Sequence, residues 1–390
     1  MLYDKLVEYS ADGTYPMHMP GHKRNPAFMP PGLPFDIDIT EIWGFDDLHE
    51  PRGALRDAAE IAAQLYGSDR AFLLVNGSTV GILAAVGAMA ARGDKILVAG
   101  NSHRSVDNAA SLFGLQPVRA PSAIDEHSGV PFSVDPKAVK SALEHEPGIR
   151  LVVVTSPSYE GVVSDIGAIA SVAHERNVPL LVDGAHGAHL GFSPEFPEGP
   201  VPAGADAVVM SLHKTLPALT QCSLLHVCSG RADAEEMKRL LSVLQTSSPS
   251  YVLLASIDHC LRLLASDGER LFSEYARSLE RFMEQVRPLK RLRILGEPGT
   301  APEREKGGKG AVAPCPAERG FYALDPGKLV IVTKGTGLSG IKLSDILRMA
   351  YKIELEQACD DYAIAMTSVC DSSDGFDRLA QALLWIDKRL

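Results

Sequence analysis

The sequence has no Cys-x-x-Cys pair. Its six cysteines (Cys222, Cys228, Cys260, Cys315, Cys359 and Cys370) are scattered, which speaks against a zinc knuckle or a disulfide framework and fits reduced thiols in the cytosol. It also lacks any run of about 18 uncharged apolar residues. The amino terminus, Met1-Leu-Tyr-Asp-Lys-Leu-Val-Glu-Tyr-Ser10, carries charges where a secretory signal needs an apolar core. A cytoplasmic protein with no membrane partner is expected. Positive charge is scarce, with 38 Lys and Arg against 49 Asp and Glu and a net charge of −11, so nucleic acid is not an expected partner. The Gly-x-Gly-x-x-Gly dinucleotide fingerprint and the lysine of a Walker loop are missing as well, which disfavours nucleotide binding. What is present is an ordinary globular composition: 390 residues, 45% hydrophobic and 22% charged, enough for two or three domains of roughly 150 residues. Small-molecule chemistry is the best expectation.

Between residues 55 and 215, helix-like segments alternate with short runs of branched apolar residues, as in an α/β domain whose parallel strands are buried on both faces. The predicted strands are Ala71–Val75, Lys95–Ala99, Leu151–Thr155, Pro179–Val182 and Ala207–Met210. Ligands of such sheets sit beyond the carboxyl ends of the strands, so Asn76, Asn101-Ser-His103, Ser156-Pro-Ser158, Asp183 and Ser211 are expected to line one crevice. From about Val252 a helical pattern runs past Arg287, and Gly299–Gly320 reads as a surface loop. Lys328–Thr333 and Tyr362–Thr367 read as strands and Gly375–Leu390 as a helix, which makes a small α+β domain at the carboxyl end. The expected division is an amino-terminal segment over 1–40, a large domain over 41–285 and a small domain over 286–390.

Three motifs carry chemistry. Ala207-Val-Val-Met-Ser211-Leu-His213-Lys214 places a lysine just past a buried strand. A lysine held in a crevice can lose its proton and attack a carbonyl, although a solvated loop lysine is the plain alternative. Val178-Pro-Leu-Leu-Val-Asp183-Gly-Ala-His186 ends another apolar strand in a carboxylate, which suits a cationic partner such as a pyridinium nitrogen, or simply a helix cap. Phe72-Leu-Leu-Val-Asn76-Gly77-Ser78-Thr79 is a strand, a small-residue turn and a helix start, which serves either as an anion cradle or as an ordinary N-cap. His103, after the next strand, could stack on a flat ring.

With these residues the chain resembles the bacterial ornithine/lysine/arginine decarboxylases, within the fold-type I pyridoxal-phosphate enzymes. The likeness runs through Met19-Pro-Gly-His-Lys23, Asp38-Ile-Thr-Glu41, Asp46-Asp-Leu-His49, Asn76-Gly-Ser-Thr79, Thr155-Ser-Pro-Ser-Tyr159, Asp183-Gly-Ala-His-Gly-Ala-His189, Ser211-Leu-His-Lys214, Thr246-Ser-Ser-Pro-Ser-Tyr251 and Tyr351-Lys-Ile-Glu-Leu-Glu356. The resemblance implies a three-layer α/β/α large domain around a mostly parallel seven-stranded sheet, with a small α+β carboxyl-terminal domain. It implies pyridoxal 5'-phosphate as cofactor, with Lys214 as its Schiff-base lysine, Asp183 opposite the ring nitrogen and His103 stacked on the ring. Ser78, Thr79, Ser211 and His213 would hold the phosphate, and Ser158 and His186 would lie near the ring hydroxyl. Thr246 or Ser247 would reach the phosphate of a neighbouring subunit in a homodimer whose active sites lie at the interface.

Two positions depart from the family pattern: Gly184, where a glutamate is usual, and Glu160, where a second tyrosine is common. The implied activity is decarboxylation of ornithine, lysine or arginine. The substrate's distal cation would need an acid, since an unpaired buried charge is costly; Glu41, Asp46, Asp47 and Glu160 are candidates. An aminotransferase or an aldolase-like lyase would use the same constellation, and a degenerate regulatory homologue is a further alternative. No metal is expected, although Asp183, His186 and His189 have a spacing that could ligate zinc.

Overall fold

A computed structural model describes residues 1–99, 102–296 and 320–390. Asn101 and the loop expected over 299–319 lie outside the described residues. Through residue 227 the chain lays down β1 (Arg70–Leu74), β2 (Lys95–Val98), β3 (Gln116–Arg119), β4 (Ile149–Thr155), a two-residue β5 (Val162–Val163), β6 (Leu180–Asp183), β7 (Ala207–Ser211) and β8 (Ser223–Val227). All but β5 form one seven-stranded sheet in the order β1-β8-β7-β6-β4-β2-β3, in which only β8 runs antiparallel to its neighbours. The sheet is the mostly parallel one expected. β4, β6 and β7 read Ile-Arg-Leu-Val-Val-Val-Thr, Leu-Leu-Val-Asp and Ala-Val-Val-Met-Ser and are buried almost throughout, because both faces of the sheet are covered.

The covering helices are α1 (Leu2–Ala11), α2 (Ala54–Tyr66), α3 (Gly77–Met89), α4 (Arg104–Phe113), α5 (Pro136–His145), α6 (Ile166–His174), the single turn α7 (Leu212–Thr215), α8 (Ala234–Leu244) and the long α9 (Tyr251–Val286). Side chains alternate along β4. Leu151 and Val153 join a core with α3, α4 and α8, whereas Val152 and Val154 join the larger core with α2, α5, α6 and α9. This gives the three layers. α3 is apolar all round and lies close to the sheet because Gly81 has no side chain: a Cβ there would fall 2.7 Å from Leu74 and 2.9 Å from Val209. That close approach sets the start of α3 over the carboxyl ends of the strands.

The amino-terminal segment is anchored on α9, with Leu2 and Leu6 buried and the Leu2 amide donating to the buried Asp258 at 2.8 Å. Beyond α9, the strands β9 (Arg293–Ile294), β10 (Ala323–Leu324), β11 (Lys328–Val332), β12 (Gln357–Ala358) and β13 (Tyr362–Met366) are accompanied by α10 (Gly340–Ile346) and α11 (Ser373–Asp387). The antiparallel order is β12-β13-β11-β9, and β10 pairs with β5, which ties this sheet to the edge of the site. Among the described residues no helix is long and apolar enough to cross a membrane.

One substrate-binding candidate turns out to hold the backbone. Asp46 accepts the amides of Asp47, Arg52, Gly53 and Leu55 at 3.1, 2.7, 2.7 and 3.0 Å, so it caps α2 from a distance. Burial pushes its carboxyl up, but these four amides outweigh burial and hold it below the usual carboxylate range. Asp46→Ala is expected to destabilise the chain by about 1–2 kcal/mol at neutral pH. A depressed acid contributes stability above its unfolded value of 3.8 and loses it as pH falls through the folded value. The difference between the two melting curves should therefore shrink on acidification below about pH 4.

Candidate active site

The carboxyl ends of β4, β6 and β7 lie level, with Thr155 opposite Asp183 and Asp183 opposite Val209. Asp183 is only 3% exposed. It accepts the Ala185 amide at 3.2 Å; burial raises its carboxyl pKa, and that amide together with the charges of Lys214 and His103 opposes the rise. Lys214 is carried by α7 directly after β7. Burial draws its amine below the ordinary lysine value, against the pull of Asp183 and Glu356. Its Nζ lies 3.0 Å from His186 Nε2, and the other ring nitrogen of His186 lies 2.9 Å from Lys328 Nζ. His186 packs on Tyr159, with ring centroids 4.7 Å apart. Burial, then the cations Lys328 and Lys214, hold its pKa well below the usual histidine value.

His103 caps α4, its Nδ1 accepting from the Ser105 amide at 3.2 Å, and the ring is exposed on the crevice side where its charge is felt at Asp183 and His186. At the start of α3, Asn76 makes no side-chain cap, so the amides near Ser78 and Thr79 are free of a capping side chain. Ser211 Oγ is buried and has no partner among the described residues. His213 donates from Nδ1 to the Cys222 carbonyl at 2.9 Å, which leaves Nε2 for a ligand. An anion cradle, a free buried hydroxyl, a half-buried amine and a buried carboxylate are the donor set that a phosphorylated pyridine aldehyde requires. The residues present fit that group.

Other expected residues are engaged elsewhere. Ser158 donates to Glu160 Oε2 at 2.8 Å and Tyr362 donates to Glu160 Oε1 at 2.9 Å, so Glu160 joins β4's exit loop to β13 and takes the Ser158 hydroxyl proton. Asp47 accepts the His49 and Glu50 amides. Glu41 is half-buried near Tyr251, whose hydroxyl pKa is pushed up by burial first and then by the Glu41 charge. The Thr246 backbone is bonded within its own chain, its amide donating to Asn76 Oδ1 at 3.2 Å and its carbonyl accepting from His49 at 2.9 Å, while Ser247 is exposed and open to a neighbouring subunit. A side chain at Gly184 would meet Val208, the Val209 carbonyl and Pro200 at 3.3–3.5 Å. The Asp183, His186, His189 trio does not converge: His186 lies between two lysines and His189 Nε2 bonds Asp325 at 3.0 Å. Among the described residues no group of three or more potential ligands is arranged to hold a metal.

Sequence reasoning missed Lys328 and Glu356. Lys328 opens the otherwise apolar β11 and is 4% exposed; a charged residue at a fully buried strand position is the signal that was there to read. Glu356 closes a motif already noted, accepts the Tyr159 hydroxyl and places its charge near both lysines.

A mostly parallel seven-stranded sheet with a lysine after β7 and an aspartate ending β6 defines the fold of the fold-type I pyridoxal-phosphate enzymes. Solved structures agree: lysine decarboxylase LdcF of Francisella novicida superposes with a TM-score of 0.81 at 18% identity over 99% of this chain and 60% of that one. The constitutive lysine decarboxylase of E. coli gives 0.80 at 20% identity with coverages of 99% and 60%. Among curated relatives, arginine decarboxylase of Bacillus subtilis (strain 168) is 32% identical over all of this chain and 77% of its own length. The sequence model of the family described as Orn/Lys/Arg decarboxylase, major domain, matches residues 1–372. The chain belongs to the Orn/Lys/Arg decarboxylase family. It spans about 60% of the lysine decarboxylases of solved structure.

Proposed function

We propose that this chain decarboxylates a basic amino acid with pyridoxal 5'-phosphate as cofactor, releasing carbon dioxide and an amine. The observation that carries the reading is the pairing, in one crevice, of a half-buried Lys214 whose pKa burial draws down with the buried Asp183, in a chain of this family. When bound, the cofactor supplies an electron sink for the bond that breaks at the substrate's α-carbon. Lys214 Nζ is the nucleophile that takes the aldehyde. Asp183 holds a proton at the ring nitrogen, and burial makes its charge count for more than it would in water. His103 covers one ring face. The amides of Ser78 and Thr79, with Ser211 and His213, hold the phosphate. Ser158 serves to fix Glu160, and His186 acts on the lysine rather than on the ring hydroxyl.

Of the acids weighed for the substrate's distal cation, Asp46, Asp47 and Glu160 are already engaged, and Glu356 takes their place in this reading. It stands at the rim, held by Tyr159, within electrostatic reach of Lys214. We place the domain division at 1–40, 41–285 and 286–390, and the protein in the cytoplasm as a homodimer. The exposed apolar side chains Met17 at 87% and Phe28 at 79% in the amino-terminal segment, with Trp43 at 99% just after it, support a partner subunit.

The test is carbon dioxide release from ornithine, lysine and arginine with pyridoxal phosphate supplied. One of them should yield carbon dioxide and amine in equal amounts. Failure on all three, or amino transfer to 2-oxoglutarate without carbon dioxide, would overturn the proposal. Glu356→Gln is expected to lower kcat/KM by about tenfold to a hundredfold, the span of one charge-assisted hydrogen bond, chiefly through KM.

A further inference from the structure

The phosphate cradle is held from outside. Its turn runs through Gly77, whose φ of +73° lies in the left-handed region, so helix geometry alone does not fix the direction of the Ser78 and Thr79 amides. Bonds from elsewhere do so. The Gly77 amide donates to the Gln221 carbonyl at 3.0 Å, the Val75 amide donates to Gln245 Oε1 at 2.9 Å, and the Thr246 amide donates to Asn76 Oδ1 at 3.2 Å. Two of these ties come from residues 245 and 246, which follow the end of α8. The Thr246 carbonyl in turn faces His49 Nε2 at 2.9 Å. A carbonyl only accepts, so Nε2 carries a proton there.

His49 is itself fixed, its amide donating to Asp47 Oδ1 at 2.7 Å, and the next residue, Glu50, accepts from Lys238 of α8 at 2.8 Å. Packing does less. His49 and Gln245 both line a cavity of about 350 Å³, shared with Leu48, Leu55, Phe72 and Leu241. A side chain beside such a space keeps its place by hydrogen bonds more than by close contact. We propose that His49 is a positioning residue for the cofactor's phosphate: by holding the Thr246 carbonyl it sets the loop that aims the Ser78 and Thr79 amides. What matters is the donor. Glutamine presents an N–H of similar reach, whereas leucine fills much of the same room and offers none.

The inference rests on the cofactor reading, since the phosphate is placed at the start of α3, but its test needs no decarboxylation. Dissociation constants for pyridoxal phosphate and for pyridoxal, which lacks the phosphate, are measured on the full-length chain by absorbance. The ratio of the two affinities reports the phosphate contacts. His49→Leu should lower that ratio about threefold to tenfold, the span of one neutral hydrogen bond, with pyridoxal binding unchanged. His49→Gln should keep it within about twofold of the unaltered chain. A residue that merely supports the fold would weaken both ligands together. Should His49→Leu fail to fold, Asn76→Ala cuts the same chain of bonds at its other end and should lower the ratio by a like factor. An unchanged ratio in either variant, an equal loss for both ligands, or no restoration by glutamine would overturn the proposal. So would an unaltered chain that binds the two ligands equally. Absence of carbon dioxide release, with the ratio responding as expected, would count against the decarboxylase reading alone.

Discussion

Lys214→Ala is expected to reduce carbon dioxide release by a factor on the order of 10⁴ or more, and to abolish the visible absorption band that pyridoxal phosphate should acquire on binding the unaltered protein. The size of the loss follows from how the site divides its labour. Asp183, the start of α3, Ser211 and His213 can each contribute to binding, but among the described residues Lys214 is the amine placed beside Asp183, and His186 meets it at 3.0 Å. Stability should move little, and not downward at neutral pH. Burial lowers the folded-state pKa of Lys214 below its unfolded value of 10.5, so below that pH the unfolded chain binds more protons and the lysine weakens the fold. Its removal takes away that penalty, and a water can satisfy His186 Nε2 at this half-exposed position. A variant that retains both the band and carbon dioxide release would dismiss Lys214 from its role, and a variant that unfolds would show the lysine to be structural.

The parts of this site that sequence alone reveals are those with a local signature. Asp183 ends an apolar strand in a charge and Lys214 follows another within three residues, and the apolar runs of β4, β6 and β7 show where the strands end. β3, Gln-Pro-Val-Arg, lacks that signature because it is a largely exposed edge strand with a proline. β8, Ser-Leu-Leu-His-Val, is buried throughout but carries a serine and a histidine, so it shows neither a clean apolar run nor a clear alternation; the seven-strand count rests on family resemblance. The acids show the opposite error. Asp46 and Asp47 precede the Pro-Arg-Gly that leads into α2, a pattern that reads as capping at least as well as substrate binding, and the backbone amides take both. Lys328 and Glu356 could not be placed by spacing, because their partners His186 and Tyr159 lie 142 and 197 residues away and meet them only when the carboxyl-terminal sheet packs on the exit loops of β6 and β4.

Asp183→Asn should separate function from stability by moving them in opposite directions. With cofactor and substrate, activity is expected to fall by about 10² to 10⁴, since an amide cannot hold a proton at the ring nitrogen as a carboxylate does. Without cofactor the same variant should melt higher at pH 7. Burial raises the folded-state pKa of Asp183 above its unfolded value of 3.8, so the folded chain binds more protons than the unfolded one and stability declines as pH rises through that interval. Asparagine has the same shape, its carbonyl oxygen can keep the Ala185 amide bond, and it carries no charge to desolvate. The gain should be on the order of 1 kcal/mol at pH 7 and should fade toward pH 4, where the native carboxyl recovers its proton. Pyridoxal phosphate should then stabilise the unaltered protein more than the variant, because only the carboxylate gains a cationic partner from it. A variant that melts lower at pH 7 without cofactor and loses activity in proportion would mean that Asp183 supports the fold, and the crevice would need another group to oppose the ring nitrogen.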